Sequence, residues 1–347
     1  MEQVKKYIKS IGLPRLIIFS FLLILMIIAV FLDIPLSSLI SDMLVRFGMN
    51  SVLVLAMVPA IQSGIGLNFA LPIGIVCGLI GALVSIEFKL SGFTGLWVSF
   101  IVAIPLAIIA GYVYGVMLNK VKGQEMTVGT YVGFSIVSAM CIFWLIAPFK
   151  SPELIWAYGG NGLRVTVSLE SSIDKLLNNF LSFSIGGVKI PTGLIGFFLL
   201  CAFMYLLFSK SKKGAAMKVA GSNEGFAISN GINVNEERIL GTILSTVLAS
   251  IGIILYSQSF GFLQLYNAPL YSAFPAVAAI LIGGATLKQA NIVHVIIGTL
   301  LFQSLLVVSL PVINILSEGS MSEIVRIIVS NGIILYALTR NTGGEQV

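Results

Sequence analysis

From residue 14 to residue 340 the sequence alternates between long apolar runs, almost free of charge, and short polar connections. Nothing else in the chain restricts its fold as much. A helix needs roughly 20 apolar residues to cross a bilayer core, because lipid offers no partner for an exposed N–H or C=O. On that rule the runs predict ten spans, at about 14–32, 45–62, 66–86, 94–118, 127–147, 191–209, 238–257, 270–287, 291–311 and 323–340. The expected fold class is all-α, a polytopic membrane protein. Gly, Pro and polar residues interrupt the third and eighth runs. Only 10% of residues are charged, against about 25% in soluble domains. The net charge of +6 is therefore no nucleic-acid signal. Cys77, Cys141 and Cys201 all lie inside apolar runs and read as packing residues, without disulfide or metal-ligand spacing.

Orientation follows from the basic residues. Lys5, Lys6, Lys9 and Arg15 precede the first run, and no small-residue cleavage site follows it, so it reads as an uncleaved first span. With the N-terminus inside, Arg46, Lys89, Lys150, Arg164, Lys175, Lys189 and Arg326 fall outside, and the other 13 of the 20 basic residues fall inside. The positive-inside rule selects this arrangement, with both termini cytoplasmic. Five spans lie on each side of the connection 149–191. An odd number per half predicts two five-helix halves of opposite orientation, a plan common among transporters. Gln62-Ser63-Gly64-Ile65-Gly66 and Gln258-Ser259-Phe260-Gly261 repeat a short pattern at similar places in the two halves. The connection 149–191 is the expected extracytoplasmic loop. It holds a breaker cluster at 159–162, an amphipathic helix predicted over 169–183 behind Ser168, and Trp156 and Tyr158 as interface aromatics. It reads as a docking surface for an external protein or as a structural lid.

The apolar runs carry almost no catalytic material. No Gly-x4-Gly-Lys-Ser/Thr phosphate loop occurs, so ATP is not held here by that route. The single histidine, His294, reads as an interfacial residue at the start of a run. Glu87, Glu125, Glu318 and Glu323 all fall near span ends. Proton-coupled transporters keep ionisable groups at membrane depth, and an intramembrane enzyme needs paired reactive groups there, so both readings lose ground. What interrupts the apolar runs is uncharged and polar: Gln62, Ser63 and Asn68 in the first half, and Gln258, Gln264, Tyr266, Asn267 and Tyr271 in the second. Broken backbone in a membrane is tolerated only where it lines a cavity or is buried in protein. These eight are candidate substrate-pathway residues; the alternative is that they join helices to one another. A neutral lining suits sugars, nucleosides or similar solutes.

One polar stretch, 210–238, holds five of the 20 basic residues. Ser222 or Asn223 can cap a helix there. About two helical turns follow, carrying Phe226 and Ile228 as apolar contacts. Asn230-Gly231 is a helix stop, and Val234 leads back into the membrane. The pattern Gly221-x-Asn223-x4-Ile228-x2-Gly231-Ile232-Asn233-Val234 resembles the cytoplasmic loop of ABC-importer permeases of the ribose and branched-chain amino-acid family, roughly G-x-N-x-x-A-A-x-x-x-G-I-x-V. Gly283-Gly284-Ala285-Thr286-Leu287 resembles that family's I-G-G-x-x-L segment, and Thr127-Val128-Gly129-Thr130 its T-L-G-T.

The resemblance implies a chain without catalytic residues, metal or cofactor, in a bacterial plasma (inner) membrane. It implies a dimer of two permease chains, identical or different, with separate ABC ATPase subunits below and an extracytoplasmic solute-binding protein above. It assigns Gly221, Ser222, Asn223, Phe226, Ile228, Gly231 and Val234 to ATPase coupling. Ribose-type permeases carry roughly G-G-I-D-L-S-V-G where this chain has Ser63-Gly64-Ile65-Gly66-Leu67-Asn68. The run Asn68-Phe69-Ala70 is closer to the I-N-F-A-H-G of branched-chain amino-acid permeases, without its His-Gly. The expectation is one transmembrane permease domain over 1–347, with a coupling loop at 210–238, passing a small neutral polar solute. A branched-chain amino-acid permease and an ion-coupled secondary transporter are the alternatives.

Overall fold

The computed structural model describes residues 13–156 and 162–316, together with residue 332. The predicted tenth span, the lysines before residue 13 and Tyr158 lie outside the described residues. The first half contains α1 (Leu13–Phe31), α2 (Leu36–Leu55), α3 (Met57–Gln62), α4 (Pro72–Glu87), α5 (Gly92–Lys120) and α6 (Glu125–Ile146). A long connection follows, with β1 (Thr166–Ser168), α7 (Leu176–Asn179), β2 (Phe183–Ile185) and β3 (Val188–Ile190). The chain then forms α8 (Thr192–Lys210), α9 (Lys212–Ser222), α10 (Glu224–Ser229), α11 (Val234–Phe260), β4 (Phe262–Gln264), α12 (Ala268–Ile282) and α13 (Ile292–Leu316).

Among the described residues, six helical stretches are long and apolar enough to cross a membrane: Leu36–Gln62, Gly92–Lys120, Glu125–Ile146, Thr192–Lys210, Val234–Phe260 and Ile292–Ile315. Helices α1, α4 and α12 are apolar but shorter. The chain is a mostly helical, polytopic membrane protein.

The third and eighth runs differ from the sequence expectation, which gave helices over 66–86 and 270–287. Helix α4 starts at Pro72 and α12 stops at Ile282. The reason lies in the backbone. Gly64, Gly66 and Gly284 all take positive φ, +83°, +85° and +87°, a conformation that ends a right-handed helix. At 1.5 Å per residue the 16 residues of α4 span about 24 Å, short of a bilayer core of about 30 Å. Segments 63–71 and 283–291 are thus non-helical; the first is held inside protein, while Thr286, Lys288, Gln289 and Asn291 of the second are exposed. Their backbone groups are satisfied locally: the Ile65 N–H donates to the Ala60 carbonyl at 3.1 Å, and the Ala285 N–H to the Ile280 carbonyl at 3.1 Å.

Small residues let α4 approach its neighbours. A Cβ on Gly74 would lie 2.7 Å from the Cβ of Ala249 on α11, and one on Gly81 would lie 2.9 Å from the Cβ of Ala103 on α5. Close helix approach through small residues is the usual packing device in lipid, where apolar burial supplies no drive. Helix α11 also packs on α2, α3 and α5, and α13 packs on α1, α2 and α12.

The connection 149–191 forms one helical turn, α7, in place of the helix expected over 169–183. Its backbone is taken by tertiary partners: the Leu169 N–H donates to the Gly261 carbonyl at 3.0 Å and the Lys175 N–H to the Gln258 carbonyl at 2.7 Å. Strand β1 pairs antiparallel with β4, Thr166 opposite Gln264. Strands β2 and β3 form a hairpin. At the other side, the Lys150 and Ser151 N–H groups donate to the Glu87 carboxylate at 3.0 Å. The connection is thereby fastened to the ends of both α4 and α11.

Candidate coupling site and polar segments

The polar stretch 210–238 is built around α10. Asn223 opens it: its Oδ1 accepts the Phe226 N–H at 3.0 Å, satisfying one of the donors a helix start leaves free. Ser222 instead closes α9, its Oγ donating to the Val219 carbonyl at 3.2 Å. The C-terminal end is a two-bond cap. The Gly231 N–H donates to the Ile228 carbonyl and the Ile232 N–H to the Ala227 carbonyl, both at 3.0 Å. Gly231 has φ +75°, which this cap requires and which favours glycine.

Helix α10 is pinned from one side only. Ala227 is buried with Ala220 and Val234, and Val219 and Ile232 pack against them. The flanking Phe226 and Ile228 point away and stay 57% and 62% exposed. A cap at each end and a buried alanine between them hold two large apolar side chains outward.

Behind α10, the end of α9 sits on the broken segment. A Cβ on Gly221 would lie 2.6 Å from the Gly64 nitrogen and 2.8 Å from the Ser63 carbonyl carbon. Glycine is required by that approach. An exposed pair joins Lys122, in the turn between α5 and α6, to Glu224 at 2.7 Å. Arg238 and Glu125 form a second pair, with both side chains largely buried.

The structure splits the candidate pathway residues into two groups. Gln62 and Ser63 lie beside Gly221. Gln62 accepts the Tyr205 hydroxyl and donates to the Ala290 carbonyl, each at 2.7 Å. Ser63 is buried and donates to the Ala60 carbonyl at 3.0 Å. Asn68 is buried with both ends of its amide in use: Nδ2 donates to the Ser245 Oγ at 2.9 Å, and Oδ1 accepts the Ala70 N–H at 3.1 Å. It thereby fixes 63–71 to α11. The second group lies where β1 meets β4. Gln258 is buried; its Oε1 accepts the Leu177 N–H at 3.2 Å and its Nε2 donates to Asn178 at 3.3 Å. The Tyr266 hydroxyl donates to the Leu163 carbonyl at 2.9 Å. Gln264, Asn267 and Tyr271 are exposed.

Asn68→Leu removes the Ser245 bond and strips a buried N–H of its partner, a loss of about 1–3 kcal/mol. We expect this variant to lower solute uptake several-fold in proteoliposomes while the ATPase stays attached. Unchanged uptake would free 63–71 from any part in transport.

The sequence over residues 39–337 matches the family described as branched-chain amino acid transport system / permease component. The chain belongs to this permease family. Two relatives agree. The permease is 24% identical over 243 residues, 68% of its length, to the nucleoside ABC transporter permease protein NupB of Lactococcus lactis subsp. cremoris (strain MG1363). It is 26% identical over 151 residues, 42% of its length, to the tyrosine transport system permease protein of Clostridioides difficile (strain R20291). The matches span 63% and 49% of those relatives' own lengths. No solved structure gives a significant match.

Sequence reasoning passed over helix α9 and the Lys122–Glu224 and Arg238–Glu125 ion pairs. The signal for α9 was present in Ser211, whose Oγ caps it by accepting the Gly214 N–H at 3.2 Å. Glu125 and Arg238 are far apart in sequence and carry no pairing signal; only the fold brings them together.

Proposed function

We propose that the permease is the membrane-embedded subunit of an ABC importer, passing a small neutral polar solute under the drive of separate ATPase subunits. The observation that carries this reading is α10, a capped helix whose Phe226 and Ile228 are held out to a partner beside charged residues. Isolated exposed apolar residues are ordinary on a protein surface; two held rigidly on a short polar helix suit a docking contact. Family membership supplies the partner's class: two ATPase subunits, a second permease chain and an extracytoplasmic solute-binding protein. We assign ten spans in two inverted halves, both termini cytoplasmic, in a bacterial inner membrane. We place segment 63–71 and the exposed Gln264, Asn267 and Tyr271 along the solute's route, the last three at its outer mouth.

Segments 62–71 and 258–271 contain no charged residue. A zwitterion or ion entering a low-dielectric site needs fixed counter-charge, so a nucleoside- or sugar-like cargo is favoured. The relative named for tyrosine and the family's description support an amino-acid cargo as the second reading.

Uptake by permease, ATPase and binding protein in proteoliposomes tests the proposal, with uridine, ribose, tyrosine and leucine as competing solutes. We expect uptake that needs ATP and is displaced by uridine or ribose. Displacement by tyrosine or leucine alone selects the amino-acid reading, and uptake driven by an ion gradient without ATPase overturns the importer. Cysteines placed at Ser222 and Ser184 should label with impermeant maleimide from opposite faces; labelling from one face overturns the orientation.

A further inference from the structure

We infer that Arg238 is a positioning residue that hands the motion of α10 to the broken segment 63–71 by way of α6. This rests on the importer reading above. Three contacts make the route. First, Arg238 stands in the opening turns of α11, four residues past Val234, with its side chain buried. Its Nε donates to Asn119 Oδ1, at the end of α5, at 3.1 Å. Its Nη2 donates to Glu125 Oε1, the first residue of α6. The Asn119 Nδ2 donates back to the Asn235 carbonyl at 2.9 Å. Second, the turn between α5 and α6 reaches α10 itself through Lys122 and Glu224. Third, the next turns of α6 lie on the broken segment. A Cβ on Gly133 would lie 2.9 Å from the Phe69 carbonyl oxygen and 3.6 Å from the Ala70 Cα, and one on Gly129 would lie 3.7 Å from the Ala70 nitrogen.

Two features make this a transmission route and not only a brace. Helix α6 is the least covered of the six long apolar stretches, with 22% of its span buried. Among the described residues it is held at Glu125 at one end, by its glycines on 69–70, and at Trp144 at the other end, which is buried and whose carbonyl accepts the Leu163 N–H at 2.9 Å. The buried pair also resists separation, because a buried charge without its partner is strongly disfavoured. The three helix ends at Asn119, Glu125 and Arg238 therefore move together. The exposed Lys122–Glu224 pair is screened by water and adds little alone, which leaves the buried link as the one that carries displacement.

The test uses the full permease with its ATPase in proteoliposomes, with Cys77, Cys141 and Cys201 replaced by alanine and a reporter cysteine at Phe69. The readout is the rate of maleimide labelling with and without ATP plus vanadate. The parent is expected to change its rate at least fivefold. Arg238→Gln is expected to cut that change below twofold while the ATPase still co-purifies. The exchanged pair Arg238→Glu with Glu125→Arg is expected to restore at least half of it. Arg238→Lys keeps the charge but not the two-sided geometry; it serves if the glutamine variant does not fold, and its response is expected to halve. A parental response in Arg238→Gln or Arg238→Lys overturns the proposal, as does no rescue by the exchanged pair. So does a parent that binds ATPase and shows no change at Phe69. Failure of the parent to bind any ATPase sinks the importer reading instead.

Discussion

Phe226→Asp is expected to remove the ATPase from the purified permease. The side chain is 57% exposed, so the substitution leaves the free chain's folding intact. The anchor of α10 is Ala227, fully buried on the opposite side. In the proposed complex the same position is covered, and an aspartate there would bring an unpaired charge into the contact. That penalty is about 3 kcal/mol or more, roughly a hundredfold or more in affinity. Quantitative co-purification across salt concentrations measures it. Wild-type recovery of the ATPase would remove α10 from the interface and leave its two exposed side chains unexplained.

Gly221→Val is expected to act differently, and as severely. Its new Cβ would meet the Gln62 carbonyl, the Gly64 nitrogen and the Ser63 carbonyl carbon. These are backbone atoms, and they do not swing aside as a flexible side chain does; the Gly64 N–H is itself held by the Ile61 carbonyl at 3.1 Å. Overpacking of this kind costs about 1–3 kcal/mol, relieved by lifting α9 from the broken segment. The proposed docking face of α10 lies beyond that joint and keeps its caps. The variant should therefore bind and stimulate the ATPase while uptake falls at least tenfold. Parallel assays of hydrolysis and uptake in proteoliposomes decide it: uptake within twofold of wild type would show that the contact between Gly221 and 62–64 transmits nothing.

The two cases mark what could be read from residues alone. The caps of α10 were legible because they are local: Asn223 and Gly231 act within four residues of themselves, and their chemistry is the same in any context. The apolar runs were legible because lipid imposes one length and one composition. The ends of the third and eighth runs were not, since hydropathy does not register three glycines at positive φ. The turn-rich course of 169–175 was hidden for another reason. Its backbone is claimed by Gln258 and Gly261, 83 and 92 residues beyond Lys175 and Leu169, and local preference yields to such partners. Gln62, Ser63 and Asn68 were visible as polar residues in an apolar setting, but polarity does not say whether a group faces solute or another helix. Here all three hold internal hydrogen bonds, and the glycine that grips the first two lies about 160 residues away.

The pairing of β1 with β4 also sets an order of events during synthesis. Thr166 must wait for Gln264, so the connection 149–191 is laid down almost a hundred residues before its partner strand exists. Contacts of such separation close late, after the entropy of the intervening chain has been overcome. Until α11 is threaded through the bilayer, β1 stands as an open strand edge, the form of backbone most prone to pair with the wrong neighbour. The first six helices can be inserted with the connection tied to α4 through Glu87 but not yet to α11. For the nascent chain, the arrival of β4 is the step that turns a row of inserted helices into a closed molecule.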